Sequence, residues 1–361
     1  MPGTIVVTGA NGLIGSHLCE AFAAAGWEVR AVDRPGTQCA AARAAGARVE
    51  QADLESPEGA LFAAELARGA ELVAHAAFAG AERAVESIAA VRSSCAAALA
   101  AGAPLLLLSS CTVYGRPRSL PCEEGEIKAP VDRHGEVRWQ VEREAFLWRR
   151  TRGLRLVVLR PALTYGPRQR RGLAAALGFA ALAAHEGRAL WLPRRGPVVH
   201  TVHAADVGQA ALVVAVHGAL SLDGRAFNVA DDVPLPLEEL GRAVIHAAGA
   251  REAGRVPYAH RPARALLWLL RRLPDWLLWR PLNRRLARDW LRAWKGAPPG
   301  KAPVIEPDLL EQLASDRYYD TQRLRALGFA PRFSSAVEGL SGLALDSRAR
   351  GLLPPPAQPQ S

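Results

Sequence analysis

The chain has little that would support a covalent or metal-based framework. Its five cysteines (Cys19, Cys39, Cys95, Cys111 and Cys122) are odd in number, far apart and without neighbouring histidines, so neither a disulfide scaffold nor a zinc site is expected. They read as free, reduced thiols. No uninterrupted apolar run reaches the ~18 to 20 residues that span a bilayer, the nearest being the Ala/Leu-rich stretch from Leu173 to Ala184. The opening MPGTIVVTGA shows no basic segment followed by an apolar, cleavable one. These absences predict a cytoplasmic protein without a transmembrane helix. Lysine is scarce as well, at positions 128, 295 and 301 only, so the 45 basic residues are almost all arginine.

What charge there is lies unevenly. Residues 251–301 hold 13 Arg/Lys against 3 Asp/Glu, an excess equal to the whole chain's +10. A local cationic segment of this kind points to an anionic surface or ligand. Nucleic acid is not expected as the partner, because no recognised nucleic-acid motif accompanies the charge.

Short β-type runs alternate with Ala-rich helical stretches through the N-terminal half. Thr4 to Thr8, Glu28 to Val32, Leu72 to His75, Leu105 to Ser109 and Leu154 to Leu159 read as strands, in the βαβ rhythm of a parallel sheet covered on both faces. The expected fold is α/β, a doubly wound parallel sheet with a smaller C-terminal substrate-binding region. Its divisions are expected at 1–170, 171–350 (returning partly to the sheet through Val198 to Val202 and Phe227 to Val229), and a disordered tail at 351–361. From about 230 onward the pattern reads as helical.

The first strand leads into Thr8-Gly9-Ala10-Asn11-Gly12-Leu13-Ile14-Gly15 and then a helical run to Ala25. Glycine at 9 permits a tight turn, at 12 lets backbone approach a pyrophosphate, and at 15 allows helix and strand to pack closely. The helix N-terminus adds N–H donors and a positive dipole end. Asp33 closes the second strand 18 residues after Gly15, where a carboxylate can bind the ribose hydroxyls of NAD and repel the 2′-phosphate of NADP. Arg34 opposes this by offering that phosphate a partner, which leaves NAD the favoured cofactor and NADP the alternative. Asp53 and Leu54, after a third short strand, are candidates to border the adenine.

Several separate motifs agree on one family. Besides TGANGLIG there are HAA (His75 to Ala77), SSCTVYG (Ser109 to Gly115), LRPALTYGP (Leu159 to Pro167), VHAADVGQA (Val202 to Ala210), FNVAD (Phe227 to Asp231) and YYDTQRLRALGFAP (Tyr318 to Pro331). In order and spacing the chain resembles the extended short-chain dehydrogenases, the NAD-dependent epimerase/dehydratase and 3β-hydroxysteroid dehydrogenase group. The resemblance implies a Rossmann domain, a plausible homodimer, and Ser110 as the hydroxyl that bonds the reacting substrate oxygen. It also implies that Ala76, Ala77 and Pro161 line the cofactor.

That family carries Tyr-x-x-x-Lys about 25 residues beyond the serine, and this chain has no such motif. The matching segment is Pro130-Val131-Asp132-Arg133-His134-Gly135-Glu136-Val137-Arg138-Trp139-Gln140-Val141-Glu142. It puts His134 in the tyrosine place and Arg138 in the lysine place, one helical turn apart on one face. Two readings compete. In one the protein is an enzyme: histidine needs no cation to become a base, Arg138 pushes it further toward neutral imidazole, and Arg138 holds the ribose without joining a proton relay. In the other the acid/base pair is lost and a non-catalytic dinucleotide-binding protein remains.

Residues 261–295 contain Trp268, Trp276, Trp279, Trp290 and Trp294 among leucines and arginines, with Pro274 and Pro281 expected to break the stretch into short helices. Such a segment suits peripheral membrane contact and a lipid-like, sterol or isoprenoid, substrate. Equally it suits an apolar face packed over the substrate region or a partner subunit. Nucleotide sugars are the other substrate class, with Arg168, Arg170 and Arg171 available for a diphosphate.

Overall fold

The computed structural model describes residues 3–274, 276–294 and 302–354. The elements β1 (Thr4–Thr8), α1 (Leu13–Ala24), β2 (Glu28–Asp33), α2 (Ala40–Ala44), β3 (Arg48–Gln51), α3 (Pro57–Leu66), β4 (Leu72–His75), α4 (Ala84–Ala101), β5 (Leu105–Leu108), α5 (Arg133–Arg152) and β6 (Leu156–Pro161) follow in strict alternation, with a 3-10 turn at Cys111–Tyr114 before α5. A seventh strand, Ala226–Val229, joins after a long excursion. The sheet runs Ala226–Val229, β6, β5, β4, β1, β2, β3, and every pairing is parallel. The order reverses beside β1, which makes its C-terminal end the switch point where such sheets bind ligands.

Residues Met1–Ala162, Ala204–Ala230 and Tyr319–Arg332 form one compact unit, and Leu163–His203, Asp231–Tyr318 and Phe333–Ser361 the other. The division expected at residue 170 falls inside the second unit, because the short strand Leu163–Tyr165 pairs with Thr201–His203 and not with the seven-stranded sheet.

In the first unit the central strands β4, β5 and β6 are buried at every position because both faces are covered, and β5 is apolar throughout. Val6, Val73, Leu105, Leu107 and Val158 face a core that α3, α4 and α5 complete with Ala63, Leu66, Val91, Cys95, Val141 and Ala145. On the opposite face α1 meets the helix Ala204–Val216, so closely that a Cβ on Gly208 would lie 2.7 Å from the His17 carbonyl oxygen. One helix among the described residues, α4, is long and apolar enough to cross a membrane, although Glu86 and Arg92 interrupt its apolar run. Its buried face, Ala90, Val91, Cys95, Ala97 and Ala98, belongs to this core.

The second unit has a core of its own, built from Tyr165, Leu173, Leu177, Leu240, Val244, Leu340 and Leu343. The helical reading beyond residue 230 is corrected at Arg251–Pro257, a strand parallel to Ala189–Arg194. It shows no alternation of apolar and polar residues, and nearly all of it is exposed, so pairing with its neighbour decides its conformation. In the tryptophan-rich stretch the helix His260–Arg272 ends ahead of Pro274, as expected, but Pro281 lies in the first turn of the helix Trp279–Ala293. A proline is tolerated there because first-turn N–H groups have no intrahelical acceptor. Lys295 and residues 355–361 of the expected tail lie outside the described residues.

Candidate functional site

The turn between β1 and α1 is held by its own backbone. Gly9 takes φ +71°, its N–H donates to the Val32 carbonyl at 2.9 Å, and the Gly12 N–H donates to the Gly9 carbonyl at 3.0 Å. A Cβ on Gly9 would meet the Ala77 backbone at 2.6 Å, and one on Gly15 would lie 2.1 Å from the Gly9 oxygen. Side chains are therefore shut out at both positions. Gly12 caps α1 without a side-chain hydrogen bond, which leaves the helix's leading N–H groups and positive dipole end free for an anion. Asn11 and Gly12 are exposed, Leu13 and Ile14 half-buried, and Gly15 buried.

Asp33 is oriented before any ligand arrives. Its Oδ2 accepts from the Asn11 N–H at 2.7 Å and its Oδ1 from the Arg34 N–H at 2.8 Å. Each carboxylate oxygen has further acceptor capacity, so the clamp fixes the group and still leaves it able to accept from hydroxyls. The Arg34 side chain is exposed beside it. Asp53 is exposed and turns back to accept from the Glu55 N–H at 3.0 Å, whereas Leu54 sits in the hydrophobic core, so its side chain is spent on packing. Ala76 and Ala77 are half-buried beyond β4, and Pro161 is buried at the end of β6. A glycine cradle closed to side chains, an uncapped helix start and a fixed carboxylate together fit a dinucleotide.

Beyond β5 the chain enters the 3-10 turn through Ser110, whose hydroxyl accepts from the Thr112 N–H at 3.2 Å and lies 3.0 Å from Thr112 Oγ1. Asp132 caps α5 by accepting the Gly135 N–H at 2.7 Å. Here α5 presses on the serine's turn: a Cβ on Gly135 would lie 2.6 Å from the Thr112 carbonyl oxygen. His134 is thereby carried alongside the Ser110 turn. One helical turn on, Arg138 donates through Nη1 to the Leu108 carbonyl at 2.9 Å. Phe78 joins the two, its ring 5.0 Å from His134 edge-on and 3.8 Å from the Arg138 guanidinium. Ser110, Phe78, His134 and Arg138 all keep part of their surface open while packed among protein on their other sides, as residues lining a recess do.

Burial, with the Arg138 charge second, pushes His134 down to about 3. The same two causes in the same order bring the fully buried His75 to about 3; its Nδ1 lies 2.8 Å from Ser94 Oγ. Burial also lowers Arg138 to about 10, with Glu142 working against it. Both imidazoles are thus neutral near pH 7, and the cation beside them is one that keeps its charge.

Behind the recess lies a buried polar network that motif reading missed. Glu142, one turn beyond Arg138, accepts from the Ser109 hydroxyl and from both forks of Arg160, at 3.0 and 2.7 Å. Arg160 Nη1 donates to the Tyr114 hydroxyl at 2.9 Å, and Tyr114 donates to Asn228 Oδ1 at 2.7 Å. Four segments of the sheet's ligand-binding end are thereby tied together: the end of β5, α5, β6 and the strand Ala226–Val229. The available signal was the recurrence of Glu142, Arg160 and Asn228 inside the quoted segments, where each reads singly as an ordinary polar residue.

Fold and site define a dinucleotide-binding α/β protein with a serine, a histidine and an arginine gathered at the end of its fifth strand. A model of the NAD dependent epimerase/dehydratase family matches residues 5–230, and the chain belongs to that family, whose cofactor is NAD. UDP-glucose 4-epimerase from Rhizobium meliloti (strain 1021) is 40% identical over 65 residues, which are 18% of this chain and 20% of that protein. The chain thus matches about a fifth of that relative's length. The structure is similar to UDP-glucose 4-epimerase with UDP-glucose from Thermotoga maritima, with TM-score 0.67 and 20% identity over 96% of this chain and 99% of that one. It is similar also to UDP-glucose 4-epimerase complexed with NAD from Thermus thermophilus, with TM-score 0.67 and 21% identity over 96% of this chain and 99% of that one. At these identities the structural likeness speaks for the fold.

Proposed function

We propose that this protein is an NAD-dependent oxidoreductase or epimerase acting at a hydroxyl-bearing carbon of a nucleotide-linked sugar, with Ser110, His134 and Arg138 as its reacting-site residues. The observation that carries the reading is the convergence of these three at the end of β5 within the unit that holds the glycine cradle and clamped Asp33. When bound, NAD supplies the acceptor and donor of hydride. Gly9, Asn11, Gly12, Leu13, Ile14 and Gly15 form the pyrophosphate cradle, Asp33 takes the ribose, and Ala76, Ala77 and Pro161 line the remainder.

Ser110 orients the substrate oxygen. His134, neutral at physiological pH, takes the proton of the substrate hydroxyl in the oxidising direction as the carbinol carbon gives up hydride, and the imidazolium so formed returns that proton to the carbonyl oxygen in the reducing direction. At about 3 it is a weak base, so it holds that proton only briefly and passes it on to solvent or back to the substrate oxygen. Arg138 holds hydroxyls of the cofactor ribose and takes no proton.

The relatives named above favour a nucleotide sugar over a sterol-like or isoprenoid alcohol, and arginines at 168, 170 and 171 would suit a diphosphate. Of these, Arg171 already faces Glu306 at 3.4 Å. The non-catalytic reading rests on one specific observation, the absence of a tyrosine and lysine at positions 134 and 138. Mixing the NAD-loaded protein with UDP-glucose, UDP-galactose and a hydrophobic secondary alcohol, while following reduced-nicotinamide fluorescence, tests these readings. Reduction by a UDP-sugar is expected. Reduction by the hydrophobic alcohol alone would move the substrate class, and tight NAD binding without reduction by any of them would favour the non-catalytic protein.

A further inference from the structure

The tryptophan- and arginine-rich stretch of the second unit plays no part in the proposed chemistry. Its two helices behave differently. Trp279–Ala293 is a seated helix: Trp279, Trp290 and Ala293 are buried, and Asn283 clamps it to the chain at Ile305, accepting the Ile305 N–H at 2.9 Å. By contrast, no described side chain of His260–Arg272 is buried. Leu266 and Leu269, at i and i+3 on one side of that helix, are 55% and 53% exposed, and Trp276 and Leu277 just beyond it are 66% and 51% exposed. Trp268 stands on the flank with the Arg272 guanidinium 3.7 Å above its ring.

Soluble proteins seldom leave large side chains together in this way unless something covers them. The charge carried by the same stretch of chain narrows what that is. Asp289 answers Arg285 and Arg292, at 4.0 and 3.2 Å, while Arg261, Arg272, Arg280, Arg284 and Arg288 have no carboxylate partner among the described residues. A second copy of the chain would bring the same positive charge to the face and be repelled. An anionic lipid surface supplies both things the face lacks, an apolar boundary for leucine and indole and negative charge for arginine.

We propose that His260–Arg272 and the turn at Trp276 and Leu277 form an interfacial element that docks the protein on an anionic lipid surface, carried by the seated helix Trp279–Ala293. Docking is independent of the reaction assigned above, because the element shares no residue with the NAD cradle or the Ser110 recess.

Flotation of the full-length protein with vesicles of phosphatidylcholine alone and with added phosphatidylglycerol is the test, with L266E/L269E as the variant. Binding is expected only to the phosphatidylglycerol vesicles, weakening as salt rises and falling by about tenfold or more in the variant. NAD binding by the same variant preparation, expected unchanged, shows that it is folded. The proposal is overturned by absence of binding to either vesicle, by equal binding to both, or by binding that the paired substitution leaves intact. It is overturned as well if the free protein self-associates in solution and L266E/L269E dissolves the association, which would assign the face to a second copy.

Discussion

At the scale of single residues, the most consequential feature is a pair of histidines held neutral beside an arginine. His75 and His134 stand near 3 in the folded protein because burial, and then Arg138, disfavour their charged forms; unfolded, they return to about 6.5. The unfolded chain therefore binds protons that the folded one refuses. Stability from this source is complete above about pH 6.5 and falls as pH drops toward 3, by up to about 1.4 kcal/mol per pH unit for each histidine. Urea unfolding midpoints should fall steadily from neutral pH to pH about 4.5, and H134N should flatten that decline. A midpoint unchanged over the range would show that the histidines are not held as described.

At the scale of elements, α5 is the part on which the site depends, since it carries His134, Arg138 and Glu142 in successive turns. Glu142 anchors it to the end of β5 and to β6 by a bidentate, fully buried ion pair with Arg160. Removing one partner strands the other's charge, at a cost of about 3–5 kcal/mol. E142Q should lower stability by that order in urea titrations, and E142L/R160M should recover part of the loss by leaving no buried charge. Equal destabilisation by both variants would contradict the assignment. Sequence reading reached the parts of this region that local rules control. The β1 turn, its helix and Asp33 were legible because glycine spacing and strand-to-helix order are local, and β5 because a strand buried on both faces is apolar without a break. The Glu142–Arg160 pair was not, since nothing local tells a buried charge from a solvated one 18 residues away. Arg251–Pro257 was missed for a similar reason: an exposed strand with no alternation is set by its neighbour alone. Pro281 misled because its position in the helix, and not its presence, decides whether a helix breaks.

At the scale of the whole molecule, the chain combines a conventional dinucleotide unit with a proposed reacting centre that carries His134 and Arg138, and family membership speaks for the first and not for the second. The fold class, the NAD site and the switch point at the end of β1 follow from motif order. The substrate was the weakest expectation: the tryptophan-rich segment suggested a lipid-like alcohol, while the relatives point to nucleotide sugars, because the segment's exposed face is a property of the surface and not of the recess. The central claim is that His134 serves the reaction as a neutral imidazole. It is tested most directly by the pH dependence of single-turnover nicotinamide reduction with a UDP-sugar, for the native protein and H134F. The account predicts a rate that is flat between about pH 5.5 and 8, with no inflection near the ordinary histidine value of about 6.5, and a loss of about a hundredfold in H134F. An inflection near 6.5, or an H134F rate equal to the native one, would contradict it.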